Sequence, residues 1–406
     1  MRLRSMPRGA RRVLVAACAV LVLAPPARAQ RLDLPEGRQL APGLSLYRIN
    51  SSALVSPEEP MSVWLLRLDP TRVELRAALA NDEVMGTEAV AAIAERHGAI
   101  AAINAGFFLP NGDPAGVLTL GGQLVSDTRR PRGAVGISRG ERGVSLIFAR
   151  LRASASLQIG EGPNRTTIPI DGVDTTRIRG QLMLFTPSYN EDTDTAARGL
   201  EWVVDRPRGK PREPLRIISG PHRKGRTRIP AKGFVLSFGG EKAPQSLSRL
   251  KRGMRVAVET SYEPLEGEPQ PWLIAQDIIG GAGLLIREGR DVEDWSVEAF
   301  NKGFAEGRHP RTMIGTAPDG TIWLVTVDGR QPQISVGMSL VELRDFAHRL
   351  GLVNALNLDG GGSTTMWIQG HVVNSPSDAA GPRKVSDALL VRSIAGPGRE
   401  GRTAVR

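Results

Sequence analysis

Three successive glycines at 360–362 stand directly behind Asp359 and between two apolar runs, and this stretch constrains the chain more than any other. An ordinary hairpin needs only one or two residues with unusual backbone freedom. A third glycine after an acid marks a place where backbone and some other group must come closer than any side chain would allow. The loop amides of Gly360, Gly361 and Gly362, together with the hydroxyls of Ser363 and Thr364, form a set able to cradle phosphate oxygens.

The residues leading into this loop read as a helix and a strand. Ser339 and Glu342 form a capping box for a helix over 339–350, Gly351 stops it, and an apolar strand over 352–356 ends at Asn357. An earlier unit has the same order: a helix over 87–97 with Thr87 as N-cap, the stop Gly98, a strand over 99–103, then Asn104. Helix–glycine–strand units are common, so the similarity alone proves no repeat. A true repeat would bring the two loops that follow the Asn residues to one sheet edge.

Before the first helix, Val73, Leu75, Ala77 and Leu79 alternate as one face of a strand. Residues 149–271 differ in texture, with many Gly, Pro, Thr and Arg between short apolar runs, and read as a β-rich insertion. The expected organisation is a leader at 1–29, a linker at 30–43, a domain in two parts at 44–148 and 272–395 around the insertion, and a polar tail at 396–406. The expected fold class is α+β, a mixed β-sheet with a few packed helices.

The first residues, MRLRSMPRGARR, are cationic without an acid and precede an apolar run over 13–24, the pattern of a secretory leader. A run of 12 residues falls short of the roughly 20 that a membrane-spanning helix needs. Ala27-Arg28-Ala29 fits a cleavage site, which predicts an exported chain, periplasmic or extracellular, with no permanent membrane span. The sole cysteine, Cys18, lies inside the apolar run. A lipid anchor on Cys18 is the secondary reading, since a cut there would use half the apolar core. Six arginines would leave with the leader, which lowers the net charge from +11 to about +5. Aromatic residues make up only 4% of the chain and do not interleave with basic clusters, which argues against nucleic acid as a partner.

Two arginines flank predicted strands near the loop: Arg311 opens the stretch RTMIG, and Arg330 follows Val327-Asp328-Gly329. Their planar forks bind phosphate oxygens in pairs. The five histidines are scattered, without the spacing of a zinc site, and His97 and His348 fall at helix ends. Gly136-Ile137-Ser138-Arg139-Gly140 matches a nucleophile elbow, yet the residues after it read as a strand where that motif needs a helix. Ser138 is therefore expected at a hairpin turn.

The stretches INAGFF at 103–108, RTMIG at 311–315, VDGRQ at 327–331, SVGMSLVEL at 335–343 and ALNLDGGGSTTM at 355–366 resemble the phosphodiester glycosidase family. The resemblance runs over most of residues 44–395 and is weakest in the insertion. It departs at Asp387, where the family pattern has Asn, and at Pro382, where it has an acid, so the sugar does not carry across. It implies an exported hydrolase that cleaves the glycosyl–phosphate bond of a sugar 1-phosphodiester, in cell-envelope or exopolysaccharide metabolism, with a phosphorylated carbohydrate as partner.

The residues suit that reaction, because a departing phosphate monoester has a second pKa of roughly 6 and needs little protonation. The site instead needs cations at the phosphate, here Arg311, Arg330 and the loop amides, and a carboxylate at the anomeric carbon. Asp359 is the expected nucleophile or base, Asp328 its partner or a substrate clamp, and Asn104 a contact to the sugar or a support for Asp359. No cofactor is required, although a divalent cation between Asp359 and Asp328 is chemically allowed. Two other readings use the same residues: a binding protein for phosphorylated polysaccharide, and a metal-dependent phosphodiesterase that cuts the P–O bond.

Overall fold

Apolar residues alternate along nearly every central strand, and both faces of those strands are buried. The computed structural model describes residues 31–394 except 161, 163, 164 and 208–212. The expected leader, Cys18 and the polar tail lie outside the described residues. Four sheets account for most of the rest, with 43% of the chain in strand and 12% in helix, so the α+β class is strongly β-rich.

The first sheet has eight strands in the order Arg38–Ala41, Leu44–Asn50, Ser62–Leu68, Ile322–Val327, Arg311–Thr316, Asn354–Asn357, Leu284–Arg287 and Arg290–Asp291. Its alternation is clean. Val63, Leu65, Met313, Val325 and Ala355 face the helix Leu340–Arg349, whose Leu340, Leu343, Phe346 and Ala347 pack on them. Leu66, Leu68, Ile314, Leu324 and Leu356 face the opposite way, into the main core. Each such large side chain taken from water contributes about 1.5–3 kcal/mol, and this sheet does so on both faces.

The fourth sheet repeats the design with five strands, His371–Val372, Met366–Ile368, Ala101–Asn104, Asp387–Ser393 and Val73–Leu79. Val73, Leu75, Ala77 and Leu79 enter the main core as their alternation predicts. Ala78, Ala102, Trp367 and Leu390 point the other way onto Val90, Ile93 and Ala94 of the helix Val90–Arg96. Between them lies a second sheet, built on the long hairpin of Thr128–Gly140 and Gly143–Ile159. A third, small sheet runs Gly172–Val173, Leu182–Phe185, Phe234–Phe238, Leu200–Asp205 and Arg216–His222. Residues of all four sheets share the main core.

One expectation is narrowed and two are corrected. The mixed character is confined to the third sheet, where Gly172–Val173 runs parallel to Leu182–Phe185; the other strand pairs among the described strands are antiparallel. The helix Leu340–Arg349 does join two strands that run the same way, but the antiparallel strand Arg311–Thr316 is inserted between them. Thr87 does not cap the first helix, which starts after Ala89 without a side-chain cap. Glu88 is held extended by paired bonds to Val385 (2.9 and 2.8 Å), so the helix begins later than the sequence suggests. Ser138 is not in the turn; it pairs with Ser145 inside the hairpin, and Gly140 and Gly143 bound the turn. A strand follows it, which removes the nucleophile elbow.

The helix over 340–349 keeps its capping box, with Ser339 Oγ accepting from Glu342 N (3.2 Å) and the Glu342 carboxylate accepting from Ser339 N (2.9 Å). Gly351 follows with φ +83°, as the stop signal required.

Glu298 is fully buried at the contact of the first two sheets, accepting from Gly133 N (2.9 Å), Gly283 N (2.8 Å) and Leu284 N (3.1 Å). Those three N–H groups are stranded without it. Glu298→Ala is expected to cost about 3 kcal/mol, read as a lower urea midpoint. An unchanged midpoint would show that the three bonds hold nothing together.

Candidate active site

Asn354–Asn357 leaves the first sheet and the chain re-enters the fourth sheet at Met366–Ile368, so the glycine loop is the crossing between two sheets. Leu358 N donates to Thr312 O (2.8 Å) on the near side, and Asp359 N donates to Ala105 O (2.9 Å) on the far side. The two loops singled out by the internal similarity do meet here, although their strands belong to different sheets.

Asn104 fixes the crossing. It is wholly buried; its Nδ2 donates to Asp359 O (2.7 Å), and its Oδ1 accepts from Thr312 Oγ1 (2.8 Å) and Thr365 N (3.1 Å). Its contacts hold the backbone of Asp359, and it does not line the cavity described below.

Each glycine of the loop lies against a group that a side chain would strike. A Cβ at Gly360 would lie 2.6 Å from Pro310 O, and one at Gly361 (φ +61°) 3.1 Å from Arg330 Nη2. At Gly362 it would lie 2.3 Å from both Arg383 Nη2 and the Asp378 carboxylate. The close approach predicted from the sequence is thus made to the protein's own groups, the guanidinium groups of Arg330 and Arg383 among them. Gly360 N donates to Asp359 Oδ1 (2.9 Å), Gly361 N to Pro310 O (2.9 Å), and the Ser363 and Thr364 amides close a 3₁₀ turn. The expected amide cradle is consequently reduced. Ser363 and Thr364 are buried and do not line the cavity described next.

A cavity of about 420 Å³ opens above the loop. Asp359, Gly360, Gly361, Gly362, Arg311 and Arg330, all expected at the site, line it together. Arg383, His309, Phe107, Phe304 and Asn301 complete the wall, along with Gly303 and Pro310. Asp328 does not. It is buried behind the loop, where its Oδ1 accepts from Ser375 N (2.8 Å) and Asn374 Nδ2 (3.1 Å). Asn374 in turn bonds Thr364 O (3.0 Å) and Met366 N (2.7 Å), so Asp328 braces the far end of the crossing. Its expected place as partner of Asp359, or as co-ligand of a cation, is corrected on those contacts. Among the described residues no cluster of three or more His, Cys, Asp or Glu is arranged to hold a metal.

Electrostatics follow from burial. The Asp359 carboxyl is pushed up to about 6 by burial; the Ser363 hydroxyl, the Gly360 N–H and Arg383 pull it down, and the charge of Asp387 raises it. Asp387 is itself buried, accepting from Gly106 N (2.6 Å) and Ser386 Oγ (2.7 Å). Arg311 is 1% exposed and is brought down to about 10 by burial and, to a lesser degree, by Arg330, yet remains charged at neutral pH. Its Nε donates to Met338 O (2.8 Å), its Nη2 to Phe304 O (2.7 Å) and Gly307 O (3.1 Å), and its guanidinium lies 4.9 Å from the Phe304 ring centroid. Two of its three nitrogens are thus committed to the protein.

Arg330 is held at φ +58°, a left-handed backbone rare for a side chain of this size and frequent at functional sites. Its Nη2 lies 3.3 Å from His309 Nδ1, while His309 Nε2 lies 3.3 Å from Gly303 O. This network fits a neutral imidazole protonated on Nε2. Burial lowers the His309 pKa first, and the charges of Arg311 and Arg330 add to it. Arg383 is paired with Asp378 through Nε (2.9 Å) and Nη2 (2.8 Å).

His309 and Arg383 were not picked out from the sequence. The available signals were position alone: His309 stands two residues before Arg311, and Arg383 directly follows Pro382, one of the two points where the resemblance departs. The aromatic pair Phe107 and Phe304, with centroids 5.8 Å apart, comes from segments nearly two hundred residues apart, and no local pattern announces it.

Residues 219–392 match the phosphodiester glycosidase family. The chain is 33% identical over 123 residues to mouse N-acetylglucosamine-1-phosphodiester alpha-N-acetylglucosaminidase, a stretch covering 28% of this chain and 23% of that protein. It spans less than a quarter of the length of the first curated relatives it matches. Among solved structures, a Synechocystis protein superposes with a TM-score of 0.71 at 24% identity, over 88% of this chain and 64% of that one. A Burkholderia pseudomallei protein gives 0.67 at 26%, over 84% and 75%. The matched residues hold Arg311, Arg330, Asp359 and Arg383, whereas Asn104 and Phe107 lie before them. Over residues 219–392 the chain is therefore similar to the phosphodiester glycosidase family.

Proposed function

We propose that the chain is an exported hydrolase that cleaves the glycosyl–phosphate bond of a sugar 1-phosphodiester, in cell-envelope or exopolysaccharide metabolism. The observation that carries this reading is the convergence of one partly buried carboxylate, Asp359, with three guanidinium groups, Arg311, Arg330 and Arg383, on a single cavity. The mouse relative's name supports the substrate class, and the leader-like residues 1–29 support export.

In this proposal the phosphate lies against Arg330, Arg383 and the uncommitted Nη1 of Arg311. The cations offset the charge that builds on the bridging oxygen as the C1–O bond breaks and its electron pair leaves with the phosphate. No strong general acid is needed, because the departing phosphate monoester is already a weak base. Asp359 either attacks C1 or takes a proton from the attacking water. Burial leaves its carboxylate poorly solvated and thus reactive near neutral pH. Phe107 and Phe304 offer the apolar face of the sugar a surface to lie on.

Asp359 must be ionised for either role. With its pKa raised to about 6, kcat/KM is expected to fall about tenfold for each pH unit below that value and to level off above it. A profile flat from pH 4 to 8 would remove Asp359 as the ionisable group. Asp359→Asn should lower kcat by roughly a thousandfold or more, scored as free reducing sugar from a sugar 1-phosphodiester. Cleavage in oxygen-18 water should place the label on the sugar; label on the phosphate would assign the cut to the P–O bond instead.

Gly362→Ala tests the cation set separately. The new methyl group must displace the Arg383–Asp378 pair, so KM is expected to rise about tenfold, equivalent to about 1.4 kcal/mol, with a smaller change in kcat. An unchanged KM would show that Arg383 does not hold the phosphate.

A further inference from the structure

A second cavity, of about 670 Å³, is larger than the one above the glycine loop and lies at the end of the third sheet. Arg177, Arg179, Arg198 and Lys242 line it with Gly239, Gly240 and one acid, Glu241. Arg223 reaches its rim, donating to Glu241 O (3.0 Å). The lining has no aromatic or aliphatic side chain, so it offers neither a stacking platform for a base nor an apolar floor for an acyl chain.

The cations differ in how they are held. Arg177 is fixed: its side chain is 9% exposed, its Nη1 bonds Ser237 Oγ (3.1 Å) and Glu201 (3.4 Å), and its Nη2 bonds Ala196 O. Glu201, wholly buried, also accepts from Thr193 (3.1 Å), Thr195 (2.8 Å), Ser237 (2.8 Å) and Thr227, and so offsets the Arg177 charge. Gly199 is the residue that lets Arg177 through, since a Cβ there would sit 2.2 Å from its Nη1. Arg179, Arg198 and Lys242, by contrast, make no ion pair with any described residue. Arg198 is also held at φ +76°, the second arginine of the chain to be strained beside a cationic cavity.

Unneutralised cations gathered around one concavity concentrate field lines there and draw in polyvalent anions. Guanidinium forks select planar arrays of oxyanion oxygens. We propose that this cavity is a second anion site, which holds a phosphate group of a phosphorylated carbohydrate chain whose terminal glycosyl phosphate occupies the Asp359 cavity. The carbohydrate identity rests on the function proposed above; the affinity for phosphate does not. The site on the third sheet gives a polymeric substrate a second point of attachment and leaves the chemistry to the first.

The test uses the full chain and the variant Arg179→Gln/Arg198→Asn/Lys242→Gln, with Asn chosen at 198 because it tolerates the left-handed backbone. Calorimetry with inorganic tripolyphosphate at low salt should show two classes of site in the unaltered protein and one in the variant. Equal titrations would overturn the proposal. On a phosphodiester-linked polysaccharide the variant's KM should rise about tenfold, while kcat/KM on a small sugar 1-phosphodiester stays unchanged. Loss of the tripolyphosphate site with an unchanged polymer KM would overturn the substrate assignment. If the unaltered protein cleaves neither substrate, the proposed function fails, and calorimetry still decides the anion site. The single reversal Lys242→Glu, checked by circular dichroism, gives the same reading should the triple variant fail to fold; tripolyphosphate binding unchanged in a folded Lys242→Glu protein would count against the site.

Discussion

The arrangement of the candidate site depends on one buried amide. Asn104 uses both ends of its side chain to tie three segments together: the strand that begins with Arg311, the loop that begins with Asp359, and the entry to Met366–Ile368. A buried amide left unbonded costs one to several kcal/mol, so each of these segments has a single low-energy place relative to the others. Asp359 and Arg311 are thereby fixed by the same group, and the charge pattern of the cavity follows from where the backbone is tied.

The two sheets meeting at this point are built alike. In each, a strand leads to a helix and back to a strand of the same direction, with an antiparallel strand inserted between the two. In the first sheet the inserted strand accepts at Thr312 O from the residue after Asn357; in the fourth it accepts at Asp387 O from the residue after Asn104. Thr312 and Asp387 therefore occupy matching positions. Asp387 is a buried acid whose charge raises the pKa of Asp359, and it does so from the equivalent point of the other sheet.

Much of the fold was legible because period-two alternation is a local signal: Val73, Leu75, Ala77 and Leu79 announce both a strand and its inner face. The capping box at Ser339 and the stop at Gly351 were readable for the same reason. The sheet's antiparallel sense was not, since Arg311–Thr316 enters between two helix-linked strands from elsewhere in the chain. At the site, Asp359, Arg311 and Arg330 could be chosen because their residue types suit one chemistry. Asp328 looked equally suitable, but its carboxylate is committed to Ser375 and Asn374, contacts set by a loop nearly fifty residues away. The glycines were rightly read as a place of close approach, although the groups approached are Pro310, Arg330 and Arg383.

The crossing from the first sheet to the fourth has a consequence for where the molecule can be divided. Residues 219–392 carry the family match and four of the charged groups around the cavity, yet Met366–Ile368 lies along Ala101–Asn104, and Asp387–Ser393 lies along both Ala101–Asn104 and Val73–Leu79. A piece cut to those limits would leave the last strand bare on both edges, Met366–Ile368 and Ile322–Val327 each bare on one, and a loop with no amide to anchor it. The recognisable stretch is therefore shorter than the unit of folding, which reaches back past Val73 to Ser62–Leu68, the strand that pairs with Ile322–Val327.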